Sequence, residues 1–273
     1  MTVPDDDHGV ADRRGVLYPA RLPTFHRIAA SVDLAALVRW FWIPEWRLEH
    51  GRISRQQLLP FPASNLVVGP DGVNLAGPTT SSSHRDLVGS GWAVGMLLRP
   101  AAVPTLVRDP GRLRDREAPF HAPELSAAVT AAMETPDGSA GRELAAAACA
   151  AWCAARLPPP DEEALLANAM EDLIAGDRDI VRVDQLAERL GSTVRAVQRL
   201  SQRHVGLPPL TIIRRYRLQE AAQRLREDPS VAIAQVAADL GYADQAHLSS
   251  DFRRVLGLAP RAYRRDAEAD PRG

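Results

Sequence analysis

The same short pattern occurs twice between residues 183 and 265: an alanine, three further residues and a glycine, followed by a polar-capped helical segment. The first copy contains Ala187 and Gly191, and the second contains Ala237 and Gly241. A small alanine allows a second helix to pack closely, and glycine accepts the left-handed backbone that ends one helix and directs the next. The pattern predicts two helix-turn-helix units in tandem.

Each predicted unit has an apolar side and a polar side at helical spacing. Ser192 or Thr193 is expected to cap the second helix of the first unit, and Asp244 that of the second unit. The predicted core residues of the two units are Val183, Leu186, Ala187, Leu190, Val197 and Leu200, and then Ile233, Val236, Ala237, Leu240, Leu248 and Phe252.

A long segment, residues 210–228, joins the two units and reads as one amphipathic helix that stops near Pro229. Its apolar positions are Ile213, Leu218, Ala221, Ala222 and Leu225, with arginine and glutamate between them. A rigid helix of this kind would fix the distance between two DNA-reading helices. Successive major grooves on one side of a duplex lie about 34 Å apart, which suits reading by a single chain.

Residues 177–265 resemble the DNA-binding domain of AraC/XylS-type transcription regulators. The resemblance covers roughly a third of the chain and needs many residue types at fixed offsets. The residues that carry it are Ala187, Gly191, Gly206, Ile233, Val236, Ala237, Gly241, Tyr242, Phe252, Arg253, Arg254, Gly257, Pro260, Tyr263 and Arg264.

The resemblance implies roles for individual side chains. Bases would be read mainly by Arg195, Gln198 and Arg199 in the first unit, and by Gln245, Ala246, His247 and Ser250 in the second. Phosphates would be contacted by Ser192, Thr193, Arg203, Arg253 and Arg254. The second unit carries short side chains at Ala246 and Ser250, so the first is expected to supply most of the base readout. Arg199 is the strongest candidate, because a guanidinium can bind guanine O6 and N7 together.

The charge distribution supports the same division of the chain. The net charge is −1, yet residues 177–265 contain 16 arginines against 10 acidic residues. A basic C-terminal part therefore follows an acidic remainder, as expected when only one domain binds nucleic acid. All 33 basic residues are arginine, so most of them are equally consistent with a solvated surface.

Residues 16–120 predict a β-rich domain with turn signals between short apolar runs, at residues 37–43, 57–61, 65–68 and 92–98. An open barrel or sandwich is expected, and its mouth is a common place for a small ligand. Residues 17–118 also resemble, less specifically, the sensory domain of some AraC-type regulators, through residues 40–42, 59–68 and 95–100. Trp40, Trp42 and Trp92 are candidates for an effector pocket, with packing in the core as the alternative.

Residues 121–176 predict a helical connector with helices at 123–133, 139–156 and 161–174. The alanine-rich second helix could pair with a second copy in a homodimer or be buried within its own chain. Cys149 and Cys153, the only cysteines, share one face of that helix at i and i+4. They are expected to be small packing residues rather than metal ligands or redox sensors.

Catalytic and cofactor motifs are missing from the sequence. None of the seven histidines occurs in a zinc-binding spacing, and neither a phosphate-binding loop nor a Gly-x-Ser-x-Gly turn is present. We therefore expect no enzyme activity, cofactor or metal. The acidic start of the chain lacks the features of a signal peptide, and the longest apolar stretch is too short to cross a membrane, which predicts a cytoplasmic protein.

The sequence as a whole predicts an α+β protein with three parts: a β-rich sensory domain at 16–120, a helical connector at 121–176 and a double helix-turn-helix domain at 177–266. The predicted function is a sequence-specific transcriptional regulator of double-stranded DNA. A small effector would control it, and it would act on RNA polymerase, more as an activator than as a repressor. Two alternatives stay open: an enzymatic β domain fused to a DNA-binding domain, and a constitutive DNA-binding protein without a ligand.

Overall fold

The computed structural model describes residues 7–8 and 24–268, with the backbone alone for residues 7–8, 24, 57 and 266–268. The fold is α+β, as predicted, with strands first and helices after them. The strands are β1 (Asp7–His8), β2 (Thr24–Ala29), β3 (Val38–Arg47), β4 (Ile53–Leu58), β5 (Asn65–Gly69), β6 (Gly72–Ala76), β7 (Ser83–Val88), β8 (Ser90–Trp92), β9 (Val94–Leu98) and β10 (Glu117–Pro119).

The helices of the described residues follow mainly after the strands. They are α1 (Val103–Leu106), α2 (Pro123–Met133), α3 (Gly138–Arg156), α4 (Glu162–Gly176), α5 (Val183–Arg189), α6 (Val194–His204), α7 (Pro209–Glu227), α8 (Ile233–Asp239), α9 (Gln245–Leu256) and α10 (Pro260–Glu268), with short 3-10 turns at Val32–Leu34 and Pro110–Leu113.

Most of the strands form one sheet. Its order is β1-β2-β3-β9-β5-β6-β10, and β8 pairs with the end of β3. The pairings are antiparallel except for β1 with β2. Strands β4 and β7 form a separate two-stranded ribbon. The N-terminal region is therefore β-rich, as the sequence predicts.

One face of the main sheet is covered by α2 and α3. Val38, Phe41 and Ile43 of β3 belong to the same apolar cluster as Leu125 of α2 and Cys149 of α3. Strict alternation would put residues 38 and 41 on opposite faces, but the register of β3 against β9 shifts between residues 38 and 40. An irregularity of this kind turns the following side chains over, so both residues reach the same core.

The opposite face of the sheet packs against the C-terminal helices. Trp40 and Leu97 share a buried cluster with Met170 of α4 and Ile213 and Tyr216 of α7. The predicted connector is thus divided between the two faces, with α2 and α3 on one side and α4 on the other. This places the sheet between two helical layers.

Helix α7 lies at the centre of the C-terminal part. Its first half, including Ile212 and Ile213, packs with α5 and α6, and its second half, including Leu218 and Leu225, packs with α8 and α9. The five predicted apolar positions of this helix are all buried. Several polar positions of this helix are buried as well, among them Arg215, Arg217 and Glu220.

The strand predictions were incomplete. Strands β2, β6, β7 and β10 were missed, the strand predicted at 57–61 lies instead at Ile53–Leu58, and the run at 92–98 is divided into β8 and β9. The ribbon of β4 and β7 contains polar sequences such as Ser83–Val88, which is exposed at five of its six positions. A strand with a single buried residue, here Leu87, has no hydrophobic alternation by which sequence analysis could find it.

Candidate nucleic-acid interface

The turns of both helix-turn-helix units depend on left-handed glycines. Gly191 has φ 59° and Gly241 has φ 71°. In the first turn Gly191 N donates to Glu188 O at 3.0 Å and Ser192 N donates to Ala187 O at 2.8 Å. The second turn repeats this with Tyr242 N donating to Ala237 O at 2.9 Å. The predicted tandem turns are confirmed in the fold.

Helix α6 is the second helix of the first unit. Thr193 caps it, with its Oγ1 accepting from Ala196 N at 3.2 Å. Val197 and Leu200 face the core and are at most 5% exposed. The three predicted base-reading side chains are exposed together on the other face: Arg195, Gln198 and Arg199.

Helix α9 holds the same position in the second unit. Asp244 caps it, since Oδ1 accepts from His247 N at 2.7 Å, while Leu248 and Phe252 are fully buried. The edge of the His247 ring meets Tyr242 at a centroid distance of 5.3 Å, which limits how the imidazole can turn. The predicted base-reading residues are all exposed: Gln245, Ala246, His247 and Ser250.

The residues expected to contact phosphates differ in their surroundings. Arg253 is exposed, whereas Arg203 pairs with Glu163 of α4 at 3.0 Å and Arg254 pairs with Asp251. Thr193 is exposed and Ser192 is partly exposed, both at the start of α6. A bound phosphate would have to displace Glu163 from Arg203 and Asp251 from Arg254. Arg253 has no such carboxylate partner among the residues whose side chains the structure describes.

The N-terminal region contacts both units beside these helices. Gln219 of α7 donates to Pro60 O at 2.5 Å, and Ser82 N donates to Val255 O of α9 at 2.8 Å. Phe61 meets Tyr216 edge to face at 5.6 Å. Sequence analysis did not identify these contacts, because each of them joins residues that lie far apart in the chain.

A charged cluster fastens the sheet to α4. Arg99 binds Asp172 through two nitrogens at 2.6 Å each, and Arg39 reaches Glu171 and Asp172 at 3.1 Å. The hydroxyl of Tyr216 donates to Glu171 at 2.9 Å. Burial raises the pKa of Asp172, but the hydrogen bonds and charge of Arg99 outweigh it, so the pKa lies below its ordinary value. No spacing in the sequence predicts this cluster.

The three pocket candidates are not brought together. Trp40 is 4% exposed and lies in the cluster shared with α4 and α7, and Trp42 borders that cluster while its Nε1 donates to Asn65 at 2.9 Å. Trp92 packs instead against the cluster on the other face of the sheet. Any shared effector cavity would therefore use Trp40 and Trp42 without Trp92.

The two cysteines are packing residues, as predicted. Both side chains are fully buried in the cluster of the sheet with α2 and α3. Burial raises the pKa of Cys153 to about 12 and that of Cys149 still further, with the neighbouring thiol adding to the effect. Thiolates are the reactive form of cysteine, so neither side chain is suited to nucleophilic chemistry.

Two short helices, each presented after a tight turn with its polar face exposed, define the class of tandem helix-turn-helix DNA-binding domains. A family model described as "Helix-turn-helix domain" matches residues 186–266. HTH-type transcriptional activator RhaS of Escherichia fergusonii is 32% identical over 91 residues, covering 33% of this chain and 32% of that protein. An AraC-like transcription regulator of Streptomyces lividans is 41% identical over 61 residues, covering 22% of this chain and 20% of that protein.

Residues 186–266 are therefore a helix-turn-helix domain of the AraC type. The match spans about a third or less of the length of these curated relatives. A second family model, described as "Domain of unknown function (DUF6597)", matches residues 26–119 and so covers most of the main sheet.

Solved structures resemble the chain at a lower level. An AraC-type regulator from Chromobacterium violaceum is 26% identical, with a TM-score of 0.33 over 37% of this chain and 88% of that one. Wild-type ToxT from Vibrio cholerae, solved with a bound unsaturated fatty acid, is 12% identical, with a TM-score of 0.42 over 82% of this chain and 94% of that one. Among the described residues, none of the helices has the length and apolar character needed to span a bilayer.

Proposed function

We propose that this chain is a sequence-specific, DNA-binding transcriptional regulator. The observation that carries the proposal is the pair of exposed polar faces on α6 and α9, each anchored by buried residues and both held by the single helix α7. Such helices enter the major groove of double-stranded DNA. The match of this domain to curated transcriptional activators supports activation over repression.

Within this proposal, α6 supplies most of the base readout. It presents Arg195, Gln198 and Arg199 along one face, all long side chains able to bind base edges. Helix α9 offers Gln245 and His247 together with the short Ala246 and Ser250. Ser192, Thr193, Arg203, Arg253 and Arg254 contact the backbone and set the register, since phosphate contacts carry no sequence information directly.

The proposed control acts through the N-terminal region, residues 16–120, with the connector 121–176 between it and the DNA-binding part. A small effector bound beside the main sheet would change how that region packs on α7 and shift the population able to bind DNA, to dimerise or to contact RNA polymerase. Contacts of Pro60, Phe61 and Ser82 with α7 and α9 supply the physical connection.

Selection of bound sequences from random DNA at two salt concentrations tests the proposal. The wild-type protein should enrich one motif with two separated blocks. Arg199→Ala should relax the choice at one position of one block by roughly 5- to 150-fold, the equivalent of about 1–3 kcal/mol for a bidentate contact with guanine. Arg52→Ala, which removes an exposed arginine from the N-terminal region, should leave the motif unchanged.

Different results would refute different parts of the proposal. Failure of the wild-type protein to enrich any motif removes sequence-specific recognition altogether. An unchanged selection profile for Arg199→Ala removes only this residue from the base-reading set. Effector control fails if compounds that bind the N-terminal region leave DNA affinity, oligomeric state and transcription unaltered.

A further inference from the structure

Beside the start of α9 lies a groove whose charged side chains are all arginines among the described residues. It is formed by Arg261, Arg264 and Arg265 of α10, Gln245 of α9 and residues 232–234 at the start of α8, and it encloses about 410 Å³. We call it the arginine groove. The groove opens on the side of the second unit that carries Gln245, the first residue of α9.

We propose that Arg261 and Arg265 of the arginine groove each bind a phosphate of the DNA backbone and thereby fix the register of the second helix-turn-helix unit. This inference rests on the proposed function. It adds Arg261 and Arg265 of α10 to a surface otherwise formed by α6, α9 and the turns before them.

The three arginines divide into two kinds. Arg264 is only partly exposed, and its guanidinium donates to Pro229 O at 2.7 Å and to Val231 O at 2.9 Å. These bonds tie α10 to the loop that precedes α8. Arg264 is therefore a positioning residue that holds the helix, and its two bonded nitrogens are already occupied.

Arg261 and Arg265 are exposed at i and i+4, so they project from the same side of α10. Among residues 25–56 and 58–265, whose side chains the structure describes, neither has a carboxylate within ion-pair distance, in contrast to Arg254 with Asp251 and Arg203 with Glu163. Two guanidinium groups on one helix face, without a carboxylate between them, repel each other, and a bound anion would relieve this repulsion. A phosphodiester offers the planar fork of arginine two oxygens, which makes it the preferred partner.

The position of the groove selects DNA over a free anion. In a helix-turn-helix complex the start of the second helix meets the base edges while the first helix crosses the sugar-phosphate backbone. The arginine groove lies between these two elements of the second unit, where the backbone strand would pass. Since Ala246 and Ser250 limit base contacts by α9, backbone contacts are needed to hold this unit in place.

The salt dependence of binding to the selected DNA tests this role. Each phosphate neutralised contributes about 0.9 to the slope of log K against log salt, so Arg261→Gln with Arg265→Gln should reduce the slope by about 1.8. The affinity ratio of wild type to this variant should then be roughly twelvefold larger at 50 mM than at 200 mM salt. The selected sequence should stay the same, because phosphate contacts position without specifying.

Matched variants separate this role from general charge loss. Arg52→Gln, in the N-terminal region, should leave the slope unaltered, and Arg261→Lys with Arg265→Lys should preserve it. Each single Gln variant should lower the slope by about 0.9. If the wild type binds its selected DNA with a strong salt slope and the double variant keeps that slope, the groove does not bind phosphate. A wild-type protein that binds no DNA overturns the proposed function itself.

Discussion

Gly206 lies where the first helix-turn-helix unit meets the N-terminal region. Comparing its replacement by alanine with that of Gly191 should separate two effects, the cost of a left-handed backbone and the clash of an added Cβ with neighbouring atoms. The φ of Gly206 is 80°, in the left-handed region, just after α6. A Cβ placed there would lie 2.5 Å from Pro110 C and from Gly111 N. Gly191 offers the comparison, because its φ is 59° and nothing lies within 4 Å of an added Cβ.

The expected magnitudes follow from these two environments. Alanine at Gly191 should cost only the left-handed backbone, about 1–2 kcal/mol. Alanine at Gly206 carries the same backbone cost and adds a contact far inside the usual 3.5–4.0 Å separation of carbon atoms. The atoms it meets are backbone and cannot rotate away, so overpacking should add about 1–3 kcal/mol. The Gly206→Ala variant should therefore lose about 2–5 kcal/mol, or relieve the clash by moving residues 110–111 away.

Denaturation and hydrogen exchange distinguish these outcomes. All five tryptophans precede residue 153, so their fluorescence follows the N-terminal region and the first connector helices, while helical circular dichroism follows the whole chain. Gly206→Ala should lower the denaturation midpoint more than Gly191→Ala and should speed amide exchange around residues 110–114 selectively. Equal midpoints for the two variants, with unaltered exchange at 110–114, would show that the close approach of Gly111 to Gly206 does not exist in solution.

Two further predictions concern side chains of the connector, the largely exposed Asp172 and the buried Cys149. The interactions that lower the pKa of Asp172 stabilise the fold; this stabilisation is fully present above the ordinary carboxyl pKa of about 3.9 and is lost as the pH falls through the lower folded-state pKa. Asp172→Asn should therefore flatten the acid limb of a stability-versus-pH curve. An identical limb would contradict this. Cys149→Ser should destabilise by about 1–3 kcal/mol through a buried hydroxyl without a partner, and more than Cys149→Ala in urea denaturation; the reverse order would show that the site can hydrate.

The local structure of the DNA-binding part could be predicted from sequence because each feature depends on neighbouring residues. Thr193 and Asp244 each accept a hydrogen bond from the backbone N–H three residues further along the chain. Gly191 and Gly241 end helices whose own apolar residues recur at helical spacing. The packing of the N-terminal region on α7 depends on contacts across more than a hundred residues, such as Gln219 with Pro60. No local pattern contains that information, so the burial of Arg215 and Arg217 could not be predicted from the sequence.

The ribbon of β4 and β7 shows the same limit for strands. Arg55 and Asp86 form an exposed cross-strand pair at 2.7 Å, and such pairs stabilise a ribbon without any apolar alternation. The exposure of the base-reading residues, in contrast, was predictable, since it follows from the helical period and the buried positions Val197, Leu200, Leu248 and Phe252. Whether those exposed residues bind DNA stays a prediction.

The geometry around α7 connects the N-terminal region with both helix-turn-helix units. One continuous helix contributes Tyr216 to the core shared with the first unit and Leu218 to the core of the second. The segment containing Pro60 and Phe61 contacts α7 at Tyr216 and Gln219, which lie on either side of Leu218 along the chain. Because this contact lies at the junction of the two cores, a shift of the segment would alter the packing of both units on α7. An effector acting on the main sheet would then change the relative placement of α6 and α9 without touching either helix.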